Sequence, residues 1–462
     1  MSLLKTPLTA MAAALLLAGC ANFKSHELVE SQNHAYFASQ AYLEQQAVTE
    51  QGLWWQFYQN SELNRLIAQA LNDNHALQAA DYRYRASLAQ LGYQENQQLP
   101  QGGLAAEFER QKVSGQITEQ TSVGLSATWQ LDLFGRISSL VNAAKAQTYQ
   151  AAEARIQLKA EIVTGVARSY YEWQGNRLKL NLVQAQIKAL EESLAVLQAR
   201  VDEGFVSNLD VERTLAQLNQ QKTLLPIVQQ SLFRSQASLA VLLGVPADSI
   251  NLTFVKSALD DAVDIPFEIY QPEAAVKLRP EINLALYELA QQYALDDAAQ
   301  AALYPSISVT GFAGLLNPNG NNLSGKESWQ ISPGINWSIL SWPALTAQAN
   351  AQHALTKAAY AEYENTLVNV ISDAQTALKN LYYGAQLNDY SSQRVMHALN
   401  ALEQAQALYE EGSVPYLDLL NARQEALQAE RDALDAKLDL IQTRISGYKA
   451  FSGGWSRTLL SQ

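Results

Sequence analysis

Hydrophobic and polar positions along this chain change rhythm several times, and the changes come in the same order twice. From residue 61 to 97, apolar residues recur at helical spacing in a background rich in Ala, Leu and Gln. The texture then switches. In TSVGLSATWQL, Val123, Leu125, Ala127, Trp129 and Leu131 alternate with Ser122, Gly124, Ser126, Thr128 and Gln130. Period two over this length predicts a strand with one apolar and one polar face. The preceding GLAAEFER alternates less cleanly and is expected to pair with it as a hairpin over about 102–133. From about 138 to 203 helical periodicity returns. Val183, Ile187, Leu190, Leu194, Leu197 and Val201 step by four and three, the spacing of a coiled-coil seam. No proline interrupts that stretch, so the helix it predicts would be ~100 Å long. Gly204 ends it, and another helix is expected over about 208–244.

The second half says the same. Residues 70–100 align with 275–305 at an offset of 205, with Pro100 meeting Pro305. The offset then becomes 208, where Trp129 meets Trp337 and Gly204 meets Gly412. From Trp to Gly both halves run 75 residues, which implies a rigid element whose end must arrive at a fixed place. The turns themselves echo: DEGFVSNLDVERT at 202 against EEGSVPYLDLLNA at 410. YPSISVTGFAG and WQISPGINWSIL predict a second hairpin over about 305–340, with Ile331, Ile335, Trp337 and Ile339 on one face. The expected organisation is a first repeat over 61–244, a connector over 245–272 and a second repeat over 273–452. Segments 20–60 and 453–462 flank them.

The N-terminus alters the picture. Residues 1–19 read as a secretory signal, and Leu17-Ala18-Gly19-Cys20 resembles the bacterial lipobox, with Cys20 the only cysteine. Ala21, rather than Asp, follows it, which in such signals directs the product to the outer membrane. No later run is long and apolar enough for a membrane helix, so a spanning chain must use a closed β-barrel. Four predicted strands cannot close one, whereas three copies could. A net charge of −13 excludes a phosphate-binding, nucleic-acid footprint. The five histidines lack metal-ligand spacing, and GNNLSGKE lacks the Ser or Thr and the following helix of a phosphate loop. No catalytic constellation is present in the sequence, so an enzyme is not expected.

Four features together carry a family resemblance: the Cys20 lipobox, WWQFYQNSELNRLIAQALNDNHALQAA at 54–80, WQLDLFGR at 129–136, and the paired Gly turns. The chain resembles the TolC-like outer-membrane efflux factors, in particular the NodT-type lipoprotein branch that serves resistance-nodulation-division pumps. The resemblance implies an α+β membrane protein: a homotrimer with a 12-stranded outer-membrane β-barrel, four strands per chain, continued by a long periplasmic α-helical barrel. It implies a passive duct with no cofactor beyond diacylglycerol and an N-acyl lipid on Cys20. Its partners would be a periplasmic adaptor, an inner-membrane transporter and outer-membrane lipid. At the periplasmic mouth it implies a constriction at Asp210, Tyr409, Asp418 and Asn421, with Asp210 as the partner of Tyr409. It places adaptor contact at Arg200, Gly204, Val206, Ser207, Gly412 and Val414. Two departures stand out, since Asn421 replaces a second carboxylate and Val414 replaces a companion arginine. Alternatives are a type I secretion duct, or a periplasmic coiled-coil lipoprotein that forms no channel.

Overall fold

The computed structural model describes residues 53–204, 207–265, 267, 276, 278–318 and 325–451. The signal expected over 1–19, the expected acylation site Cys20, the segment up to residue 52, Val206 and the 453–462 tail lie outside them. A short 3-10 turn, Trp54–Tyr58, leads into α1 (Ser61–Asp73) and α2 (His75–Asn96). Where the sequence predicts one helix over 61–97, the structure makes two, because Asn74 takes an extended backbone. Its side chain accepts from the Leu77 N–H at 3.0 Å, capping α2, and donates to the Leu242 carbonyl at 2.8 Å. An asparagine that can cap one helix and tie down another breaks a periodic run without disturbing its spacing.

The strands follow: β1 (Gln101–Val113) and β2 (Gln116–Leu131), then β3 (Ser306–Asn317) and β4 (Lys326–Asn336). They form one antiparallel sheet in the order β1-β2-β3-β4. The central pairing, β2 with β3, joins the two repeats across the chain, with Leu125 opposite Ala313 and Trp129 opposite Val309. Paired residues share a face. One face therefore carries Leu104, Leu125, Ala313 and Trp329 in a row, with Ile331 and Ile335 beside them. The other carries rows such as Gln101, Thr128, Thr310 and Ser332. The apolar face is open: Leu104, Trp329 and Ile335 are 76%, 78% and 74% exposed. Large apolar side chains in a continuous exposed band are not the surface of a soluble sheet.

The long helices are α3 (Arg136–Asp202), α4 (Asn208–Leu243), α7 (Trp342–Glu410) and α8 (Tyr416–Ala450). Two further helices, α5 (Ala258–Asp264) and α6 (Pro280–Ala301), complete the described elements together with 3-10 turns at Ala247–Ser249 and Ile339–Ser341. Asp132 starts α3, accepting from the Ile137 N–H at 2.8 Å and the Ser138 N–H at 2.7 Å. No described helix is apolar enough over its length to cross a membrane.

The chain divides into two compact units. The first contains the sheet with residues 82–153 and 283–366. Within it, Trp129 and Trp337, matched by the repeat, each donate an indole N–H to a helix-end carbonyl, Gln98 at 2.8 Å and Leu303 at 3.2 Å. The same clamp is thus built twice, each carbonyl lying two residues before the matched prolines Pro100 and Pro305. The second unit spans 50–81, 154–282 and 367–462. Its core centres on Trp54, fully buried, stacked on Tyr448 at 5.1 Å and edge-on to Trp55 at 5.8 Å. Leu63 and Ile67 of α1, Val166 of α3, Leu243 of α4 and Ile445 of α8 close around them. Arg444 fastens the connector by donating to the carbonyls of Ala262, Val263 and Ile265 at 3.1, 2.7 and 2.7 Å, satisfying the open end of α5. Gln174 adds a two-point clasp, donating to the Thr253 carbonyl at 2.8 Å and accepting from the Val255 N–H at 3.1 Å.

Trp54→Ala should destabilise this unit by about 3–5 kcal/mol, the range for emptying a large aromatic site. Thermal and urea unfolding followed by tryptophan fluorescence measures it, and an unshifted midpoint would place Trp54 outside the core.

Candidate functional site

The two Gly turns end helical hairpins in the second unit, and both are built from the same local parts. Gly204 has φ 79° and Gly412 φ 74°, left-handed values that a side chain disfavours. The Gly204 N–H donates to the Val201 carbonyl at 2.9 Å, and that of Gly412 to Tyr409 at 3.0 Å. The Ser413 N–H then reaches back to Leu408 at 2.9 Å, the six-to-one closure of a Schellman end. The outgoing helices start differently. Ser207 caps α4 by accepting from the Leu209 N–H at 3.1 Å, whereas Pro415 precedes α8 and offers no side-chain cap.

Above the turns the hairpins pack on one another. Leu197 of α3, Val211 of α4 and Tyr416, Leu419 and Leu420 of α8 form a small buried cluster, with Leu402 and Tyr409 of α7 against it. The seam read from the sequence contributes Leu197, with Leu194 and Val201 packed against the cluster. A polar chain runs across it. Arg200 donates through Nη1 to the Tyr409 hydroxyl at 2.9 Å, with its guanidinium carbon 5.5 Å from the ring centroid. Tyr409 lies edge-on to Tyr416, centroids 5.5 Å apart. The Tyr416 hydroxyl sits 3.0 Å from Thr214 Oγ1, which itself lies 2.8 Å from the Asp210 carbonyl. With the single threonine proton given to that carbonyl, Tyr416 is the donor to Thr214. Four side chains thereby link α3 to α7 and α8 to α4.

The resemblance implies a pairing of Tyr409 with Asp210; inside one chain each of the two has another partner. Within the chain, the Tyr409 hydroxyl is taken by Arg200, and the Asp210 carboxylate pairs with Arg213 at 3.6 Å. The reason is reach: Arg213 lies one helical turn beyond Asp210, and the long Arg200 side chain spans the gap between hairpins. The second repeat lacks both arginines. Its counterpart of Arg200 is Leu408, and that of Arg213 is Asn421. Asp418 and Asn421 are both exposed, and among the described residues Asp418 has no ion-pair partner. Both aspartates lie in the first turn of their helices, where the helix dipole favours a carboxylate. The tips carry further exposed acids, Asp202, Glu203, Glu410 and Glu411. A negative field is the result, tempered by Arg200 and Arg213 in the first hairpin only. Gly204, Ser207 and Gly412 are exposed at the tips and Val414 is half-buried; Val206 falls outside the described residues.

Sequence reading missed Tyr416 and Thr214. The available signal was a polar residue at a seam position, since Val211, Thr214 and Leu218 occupy buried places at helical spacing. Among the described residues, no cluster of three or more His, Cys, Asp or Glu is arranged to hold a metal.

The sequence matches the family described as "Outer membrane efflux protein" over residues 66–245 and 272–451, one match on each repeat. It is 28% identical over 476 aligned residues to the toluene efflux pump outer membrane protein TtgC of Pseudomonas putida, covering 98% of this chain and 96% of that one. It is 25% identical to the probable outer membrane lipoprotein SilC of Salmonella typhimurium, with 87% of this chain and 88% of that one covered. Among solved structures, the outer-membrane channel OprN superposes with a TM-score of 0.81 at 25% identity, over 88% of this chain and 93% of that one.

Thr214→Val should strand the buried Tyr416 hydroxyl at a cost of about 1–3 kcal/mol. Amide hydrogen exchange at 208–220 and 414–422 should rise in that variant. Tyr409→Phe, which loses only an exposed hydrogen bond, should change exchange there much less; equal effects would mean that the buried Tyr416–Thr214 bond carries no more weight than the exposed one.

Proposed function

The chain belongs to the outer membrane efflux protein family, and on that premise we propose that three copies form a passive, non-catalytic duct for small molecules. The observation that carries this reading is the sheet: four strands, one open apolar face, and two edge strands that each lack a neighbouring strand on the outer side among the described residues. In hydrocarbon every backbone N–H and C=O must be paired, so such a sheet is stable only when copies join edge to edge into a closed ring. Three copies supply twelve strands, enough to leave a lumen lined by the polar face. The long helices then build the periplasmic part of the duct. Acylation of Cys20 supplies a second hold on the membrane.

Of the two constriction aspartates at the periplasmic mouth, Asp418 is the one without an ion-pair partner among the described residues. Three copies of it around one axis would repel one another and attract cations, because Asn421 cannot reinforce them and no arginine neutralises them. Asp210, held by Arg213, contributes less. The constriction is therefore one ring of Asp418 within the wider acidic field of the tips, flanked by an Arg200–Tyr409 latch within each chain. A periplasmic adaptor docks on the exposed tips around Gly204 and Gly412, and an inner-membrane transporter of the resistance-nodulation-division type supplies the driving force. Cargo is small and apolar or amphipathic, in keeping with the toluene efflux for which a relative is named.

Two measurements test the reading. In detergent, sedimentation should give the mass of three chains; a stable single copy would remove the pore. In planar bilayers the channel should prefer cations, and Asp418→Asn should reduce that preference while Asp210→Asn leaves most of it. Tyr409→Phe should raise conductance by loosening the latch. An anion-selective pore, or one indifferent to Asp418, would refute the acidic mouth while leaving the duct in place.

A further inference from the structure

The two strand-to-helix junctions of the sheet-bearing unit are matched by the repeat but not by chemistry. In the first, Asp132 accepts the N–H groups of Ile137 and Ser138 and so starts α3. The offset of 208 puts Leu340 in the place of Asp132, Trp342 in that of Phe134 and Pro343 in that of Gly135. The cap is gone. Pro343 in the first turn of α7 requires less of one, since it has no N–H to satisfy. A leucine that is 100% exposed stands where a helix-capping carboxylate would be.

Nothing in local helix formation calls for that leucine. Its surroundings give the reason. The apolar face of β4, with Trp329, Ile331 and Ile335, continues at every second residue through Trp337 and Ile339, past the end of the strand. The continuation is held in shape. The Ile339 N–H donates to the Trp337 carbonyl at 2.9 Å, and the Ser341 N–H to Ser338 at 3.0 Å, closing the 3-10 turn. Trp337 gives its indole N–H to the Leu303 carbonyl at 3.2 Å and stands edge-on to Trp342, centroids 6.3 Å apart. In the first junction Phe134, two residues after Asp132, stacks flat on Tyr304 at 5.1 Å, and Leu133 and Phe134 are themselves exposed.

We infer that Ile339, Leu340 and Trp342 form a lipid anchor at the second junction, inserted into the membrane at the helix-side rim of the sheet. The occupant is lipid because the patch is continuous with the sheet's membrane face, and because its aromatic members suit the boundary between hydrocarbon and headgroup. The inference rests on the membrane reading of the sheet. In each copy the second junction is thereby pinned to the bilayer through a residue whose match in the first junction is the helix-capping carboxylate of Asp132.

The test uses the full acylated chain in lipid nanodiscs, with a nitroxide on Leu340→Cys, on Ile335→Cys in the sheet face, or on Gln116→Cys at the far end of β2. Unsubstituted protein, whose only cysteine has its sulfur blocked by the lipid, gives the labelling background. Relaxation by dissolved oxygen, against relaxation by a water-soluble nickel chelate, reports immersion in lipid. Leu340 and Ile335 are both expected to favour oxygen several-fold over nickel, with Gln116 the reverse. Ile335 in lipid with Leu340 exposed to nickel would overturn the anchor alone. So would Leu340 shielded from both reagents, which would mean that another copy of the chain covers it. An Ile335 label open to nickel would overturn the membrane reading of the sheet itself.

Discussion

Pairing of backbone polar groups where no water can reach them is the constraint from which the rest of this protein follows. A four-stranded sheet with an apolar face meets it along the central ladders and fails it at two edges. The chain carries both the requirement and half its solution. Its internal repeat supplies two hairpins, and the pairing of β2 with β3 fuses them into one sheet from segments about half the chain apart. What one copy cannot do is remove its own outer edges.

Duplication explains economy in one place and divergence in another. The Trp129 and Trp337 clamps, the two left-handed glycines and the equal spacing between them are retained because each fixes where a long helix begins or ends. The positions that differ are those that meet the surroundings. Asp132 and Leu340 are matched residues that face different tasks, one closing a helix and the other reaching outward. Arg213 and Asn421 are matched too, so one aspartate is neutralised and the other is not. Copies of a motif can keep one backbone while their surfaces specialise, because capping and turn geometry tolerate several side-chain solutions.

The hairpin tips combine strong and weak interactions in a way that suits a part that must hold and release. Leu197, Val211 and Leu420 give non-directional burial, and Tyr416 with Thr214 gives a shielded hydrogen bond that is costly to break unpaired. Arg200 with Tyr409 is exposed, and an exposed pair exchanges its partners for water at little cost. Rigidity therefore lies inside the packed hairpins and adaptability at their rim. Away from the tips in the same unit, Trp54 stacked on Tyr448 and the connector held by Arg444 make a largely buried base for the hairpins.

Much of this was legible in the residues themselves. Alternation in TSVGLSATWQL set strand and face, spacing from Val183 to Val201 set helix and seam, and Gly204 and Gly412 marked the turns. These are properties of a few neighbouring residues, imposed by backbone sterics and the two side-chain periods. The rest is decided at long range. No local pattern says that Asn74 will reach Leu242, that Tyr409 will meet Arg200 rather than Asp210, or that Tyr416 will find Thr214. Those partners depend on how far one helix slides along another, and on which long side chain can span the gap that remains. Periodicity fixes which face a residue occupies; only the packed fold fixes what stands opposite.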